Sequence, residues 1–271
     1  MFSELFQLFG SNIKALEILT LLKESKPAAR ILVKESDKEK IRVFLEQKGL
    51  ITRTSDFKLL KTDDMPYSDS GIKIEVDDKR EGYVVFYVAK KEELCENIKN
   101  IEEKNNHYEL GIALGYPQCC ALFFQKTFGK ETDLTLQTLK NSEGFIFDFH
   151  NNIALRHFDL SLLFHFPCSF ECKESIKHAV KHLDLLQEDD CEKAVITEGM
   201  LKGAVLYSSS NVILLRKSRI EDQKIYYDGL MAIQRNEVYQ QLKNEESILV
   251  HSNTSFQVNT VNFSYGVMYF I

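Results

Sequence analysis

Residues 115–124 read Gly-Tyr-Pro-Gln-Cys-Cys-Ala-Leu-Phe-Phe, and residues 165–175 read His-Phe-Pro-Cys-Ser-Phe-Glu-Cys-Lys-Glu-Ser. The chain has only four prolines, and two of them, Pro117 and Pro167, stand beside these cysteine pairs. Proline is favoured at the first position of a helix, where its missing N–H leaves no hydrogen bond unmade. Each segment is therefore predicted to enter a helix with its thiols in the first turn. Two such helix starts make the middle of the chain helical, and the flanks decide the rest of the fold.

Upstream, residues 91–114 form a long, charged stretch of helical period. Before it, Ile13, Leu16, Leu19 and Leu22 recur at helical spacing behind a Ser11 or Asn12 N-cap. Pro27 ends that helix, and residues 28–35 (AARILVKE) read as a short buried strand. Ser36 and Asp37 open a helix carrying Ile41, Phe44 and Leu45, closed by Gly49. Strand-like runs follow at 51–62, 71–76 and 83–90, with the turn-rich residues 63–71 between the first two. Downstream, a helix is expected from near Pro167 to about Leu186, and a short one after Cys191. Beyond it the chain is β-rich, with AVLY and VILLR paired around Ser208–Asn211, then runs at 224–233, 248–258 and 263–270. The fold class is thus α+β, with a small α/β subdomain (1–90), a helical cysteine-bearing region (91–190) and a β-rich subdomain (191–271). The three are read as parts of one compact body.

Composition narrows the function. The 271 residues are 44% hydrophobic and 27% charged, as a folded domain requires, and the formal net charge of −6 disfavours a general nucleic-acid surface. A winged-helix reading of LEQKGLITRT fails because the strand-like AARILV occupies the place of a recognition helix. No run of 18 apolar residues and no signal-peptide pattern is evident, so the expectation is a cytoplasmic protein with no membrane association. In a reducing compartment six cysteines point to metal ligation or reactive thiols rather than disulfides.

Cys119, Cys120, Cys168 and Cys172 are accordingly the candidate metal ligands. A helix N-terminus favours the thiolate, the form that binds metal. On a helical projection Cys172 shares a stripe with Ile176, Ala179, Val180 and Leu183, and Cys120 a face with Phe124 and Phe128. Four converging thiolates suit tetrahedral zinc or an iron–sulfur cluster. Adjacent cysteines tilt the expectation towards the cluster, whose irons are spread out. His165 is the candidate supporting group, as ligand, base or hydrogen-bond donor, and Glu109 a candidate acid–base group. Two alternatives stand beside metal binding by an otherwise uncharacterised protein. One is a metal-free thiol enzyme using Cys168 or Cys119 with His165, acting on a small-molecule substrate. The other is a non-catalytic module with a structural zinc and a protein partner. Cys95, Cys191, Asp148, His150, His157 and Asp159 are read as incidental or as turn residues. Glu174, His178 and His182, opposite the apolar stripe, are read as a solvated face.

The segments 115–124 and 165–175 resemble an uncharacterised prokaryotic family, largely archaeal, that pairs G-Y-P-x-C-C with H-x-P-C-S-x-x-C; Glu109-Leu110-Gly111 belongs to the same resemblance. It implies a similar layout over most of the chain and no particular activity. The order of Cys95, Cys119-Cys120, Cys168 and Cys172 is also similar to the cysteine modules of heterodisulfide-reductase-like proteins, which implies a four-iron cluster. The C-x3-C spacing and the missing glycine after the double cysteine depart from that pattern.

Overall fold

The computed structural model describes residues 1–61, 71–130 and 133–271, so the turn-rich segment expected at 63–71 lies almost wholly outside the described residues. Its contacts form two compact units, residues 1–126 with 184–191, and residues 127–183 with 192–271.

The first unit starts with α1 (Phe2–Phe9) and α2 (Asn12–Leu22). The side chain of Ser11 accepts the Lys14 N–H and caps α2, whose residues from Ile13 to Leu21 are all buried. β1 (Ala28–Lys34), α3 (Lys38–Gln47), β2 (Ile51–Lys61), β3 (Gly71–Glu75) and β4 (Tyr83–Ala89) follow. The strands form one antiparallel sheet in the order β1-β4-β2-β3. The continuous apolar run of β4 occupies the sheet interior, where both faces are covered and alternation is lost. Residues 91–114 are not one helix but two, α4 (Glu92–Glu103) and α5 (His107–Ala113). Asn105 turns left-handed at φ 53°, and Asn106 caps α5 by accepting the Glu109 N–H at 3.1 Å. These two asparagines break a helix that its apolar period alone would continue. α6 (Gln118–Thr127) completes the series.

The second unit contains α7 (Leu134–Lys140), β5 (Ile146–Phe147), most of α8 (Lys173–Asp189) and nearly all of α9 (Cys191–Leu201). β6 (Gly203–Ser208) and β7 (Asn211–Arg216) are the expected hairpin, turning at Ser209-Ser210. Each later strand-like run divides. Residues 224–233 become β9 (Lys224–Tyr226) and β10 (Gly229–Ala232), preceded by β8 (Arg219–Glu221). After α10 (Glu237–Lys243), residues 248–258 fall in the hairpin β11 (Ser247–Ser252) and β12 (Ser255–Val258). Residues 263–270 fall in β13 (Val261–Ser264) and β14 (Gly266–Phe270). The result is two five-stranded sheets, β10-β7-β6-β14-β5 and β13-β12-β11-β9-β8. β9 and β10 lie in different sheets because the chain bends between them, where Tyr227 N–H reaches Glu246 and Asp228 N–H reaches Arg216. Ile213, Leu215, Ile248, Phe256 and Val267 share one buried core. This is the expected α+β architecture with a β-rich C-terminal region.

Two glycines of the segment leading to α6 are held to their identity by close approach. A Cβ on Gly111 would stand 2.9 Å from that of Ala121, and Gly115 has φ 80° with the Pro27 ring only 2.6 Å from where its Cβ would be. Gly199, exposed within α9, has nothing near it. Gly115→Ala should therefore lower unfolding stability by about 1–3 kcal/mol. Gly199→Ala should raise it by about 0.5–1 kcal/mol. Urea titration followed by circular dichroism checks both signs.

Candidate metal centre

The two cysteine segments enter their helices differently. At α6, Pro117 stands at the N-cap and its carbonyl accepts the N–H groups of Cys120 (3.0 Å) and Ala121 (2.9 Å). Cys119 and Cys120 are thus in the first turn, as expected, Cys119 exposed and Cys120 buried. The buried face of the helix also holds Ala121 and Phe123, whereas Phe128, expected beside Cys120, lies past the helix end and is exposed.

At the second segment the expectation is corrected. The helix begins at Lys173, not near Pro167, so Cys168 lies in a preceding loop and Cys172 is the N-cap, its carbonyl accepting the Ile176 N–H at 3.0 Å. Side chains hold the carbonyls of this loop in place. Thr138 Oγ1 donates to the Pro167 carbonyl (2.9 Å), Asn141 Nδ2 to that of Cys168 (3.1 Å) and Asn151 Nδ2 to that of Phe170 (2.8 Å). The Phe170 N–H in turn donates to Ser142 Oγ at 2.8 Å. The loop closes on itself through Cys172 N–H and the Ser169 carbonyl at 3.1 Å. Phe170 is fully buried, stacked on Phe147 at 4.9 Å and edge-on to Phe270 at 5.5 Å. This loop is a shaped holder for two thiols. Sequence reading passed over Thr138, Asn141 and Ser142, although their spacing of three and four places them on one face of the α7 end.

The four sulfurs of Cys119, Cys120, Cys168 and Cys172 lie within 4.8 Å of one another, so this group could hold a metal ion. The Cys119 and Cys120 sulfurs are 3.8 Å apart. Four thiolates at about 2.3 Å from one tetrahedral ion stand about 3.8 Å apart, so the donor set fits such an ion with small adjustment. Neither His165 nor Glu109 belongs to the group. Glu109 is exposed in the first turn of α5.

His165 is buried and shares a 2.8 Å hydrogen bond between Nε2 and Ser175 Oγ. Burial, followed by the positive charge of Arg156, holds its pKa well below the ordinary histidine value. Arg156 also donates to the His165 carbonyl at 2.7 Å and the Leu163 carbonyl at 2.9 Å. The solvated-face reading of Glu174, His178 and His182 holds for Glu174 only. His182 is buried, donates Nδ1–H to the Leu162 carbonyl at 2.7 Å and lies against Phe164. His178 is half-buried between His165 and His182. The buried arc of α8 runs through Ser175, Ala179, His182, Leu183 and Leu186, which turns Val180 outward.

The remaining residues fall where the blander readings put them. Cys95 is buried under β2, donating to the Ile51 carbonyl at 3.3 Å, and burial pushes its thiol up to about 11. Cys191 is exposed. Asp148 accepts the His150 N–H at 2.9 Å and lies 2.6 Å from its Nδ1, closing a turn. His157 bonds Tyr207, and Asp159 ends a short 3-10 helix in the left-handed region. No helix among the described residues is long and apolar enough to cross a membrane. No family model, no curated protein and no solved structure matches the chain.

Two outcomes follow from the loop and from His165. Asn151→Ala strands the buried Phe170 carbonyl and should lower stability by about 1–3 kcal/mol in urea titration. Because His165 has a lowered folded pKa, the unfolded chain binds more protons below about pH 6.5, and stability should be full above that value and fall beneath it. Denaturation of metal-stripped protein between pH 5 and 8 should show this fall, and His165→Gln should flatten it.

Proposed function

We propose that this chain is a metal-binding protein in which Cys119, Cys120, Cys168 and Cys172 together hold one tetrahedral ion, zinc in its resting form. The observation that carries the reading is the 4.8 Å limit on every sulfur–sulfur separation in the group. A four-iron cluster ligated at its corners spreads its thiolates further, since the irons are themselves separated, so this compactness favours a single ion. Four thiolates leave no open position for water or substrate, and such closed sites contribute folding free energy. The ion would clamp two segments separated by residues 121–167, and clips that close long loops remove the most unfolded-state entropy. In this reading His165 is a positioning residue, neutral and bonded to Ser175 on the first turn of α8, three residues past Cys172. Glu109 has no part in it.

Elemental analysis of protein purified anaerobically should find one zinc per chain, absent when Cys168 and Cys172 are both changed to Ser. Cobalt substitution should give the visible bands of a tetrahedral thiolate site. Chelation should lower the melting temperature by many degrees rather than merely silence an activity. Stoichiometric iron with broad visible absorbance would replace the ion by a cluster. Metal-free protein with one rapidly alkylated cysteine would defeat the proposal in favour of thiol chemistry.

A further inference from the structure

A cavity of about 770 Å³ opens at one end of the first unit's sheet, remote in sequence from every cysteine of the metal group. Lys34 and Lys61 reach it from the ends of β1 and β2, Lys14 from α2 and Lys40 from α3. Among the described residues of the lining, two carboxylates, Asp37 and Glu81, accompany these four ammonium groups. The described lining is therefore richer in cations than in anions, in a chain whose net charge is −6.

Some lysines of this unit meet a carboxylate among the described residues, and others, such as Lys23, Lys34, Lys38 and Lys40, meet none. Lys26, Lys48, Lys58, Lys90 and Lys99 each meet a carboxylate. Lys34 and Lys40 are exposed and have no ion-pair partner among the described residues. Lys14 is buried, and its ammonium is fixed by donation to the Leu32 carbonyl at 2.8 Å, so it presents a held charge rather than a waving one. Grouping like charges around a concavity costs self-repulsion, and the low-dielectric wall focuses their field on whatever enters. The lining also has apolar surface. Phe9 and Ile41 contribute to it, and Tyr83 carries the Lys61 ammonium 5.2 Å above its ring.

We propose that this cavity binds a phosphate-bearing small molecule with an aromatic or apolar body, of nucleotide size. Lysine supplies point charges suited to a multiply charged phosphate, and among the described residues the lining holds no arginine fork for planar, bidentate grip of a carboxylate. The volume lies within the usual range for small-molecule sites. The charged groups give the phosphate its place, and Phe9 with Tyr83 offers the ring its surface.

The test is calorimetric titration of the full-length protein with ATP, with inorganic pyrophosphate as competitor. One saturable site is expected for ATP, displaced by pyrophosphate and weakened at higher salt. The double variant Lys34→Glu, Lys40→Glu should weaken ATP binding by about tenfold or more. Lys126→Glu with Lys130→Glu, an equal charge change at exposed positions outside the cavity, should leave it unaltered. Lys14→Met serves as a second cavity variant, with circular dichroism reporting that each variant is folded. Absence of saturable binding at millimolar ATP, or equal weakening by the two double variants, overturns the proposal.

Discussion

The loop from Pro167 to Cys172 gives three of its carbonyls to side chains rather than to a helix, and the candidate site rests on that arrangement. Thr138, Asn141 and Asn151 take the carbonyls of Pro167, Cys168 and Phe170. Each bond fixes the direction of a carbonyl within the loop. The helix is delayed to Lys173, and Cys168 and Cys172 belong to a turn instead of a regular surface. Phe170, buried against Phe147 and Phe270, ties the turn to the aromatic core, so shifting a thiol would break packing as well as hydrogen bonds.

The other cysteine pair is placed by simpler means. Pro117 caps α6 and sets Cys119 and Cys120 in the first turn, while the close approach of Gly111 to Ala121 fixes how α5 meets α6. Gly115, left-handed against Pro27, makes the bend between those helices. Glycine at 111 and 115, and proline at 117, are therefore backbone requirements that serve the position of two sulfurs.

Around His165 the buried polar groups engage one another and the backbone. Its imidazole is buried, which lowers its pKa, its Nε2 is engaged with Ser175, and its carbonyl is held by Arg156. His182 is likewise committed, to the Leu162 carbonyl. Buried polar networks of this kind rigidify what they touch, and here they touch the loop before Cys168 and the first turns of α8.

Local chemistry was legible from the sequence where a residue acts on its own neighbours. Proline beside a cysteine pair, the apolar run of β4, the Ser11 cap and the hairpin at Ser209-Ser210 all follow from backbone and burial rules that need no tertiary partner. From these the α+β class and the four thiols as the candidate ligand set could be read. The start of α8 could not, because the side chains that hold the preceding loop's carbonyls sit on Thr138, Asn141 and Asn151, 19 or more residues from them in the chain. The burial of His182 could not either, since a helical projection gives angular order but not which arc faces the core. The division of residues 224–233 between two sheets likewise depends on backbone partners at Arg216 and Glu246. What sequence alone determined were the groups capable of binding a metal; only tertiary packing set the distances between their sulfurs, because separations of a few ångströms are decided by contacts between segments that no local rule connects.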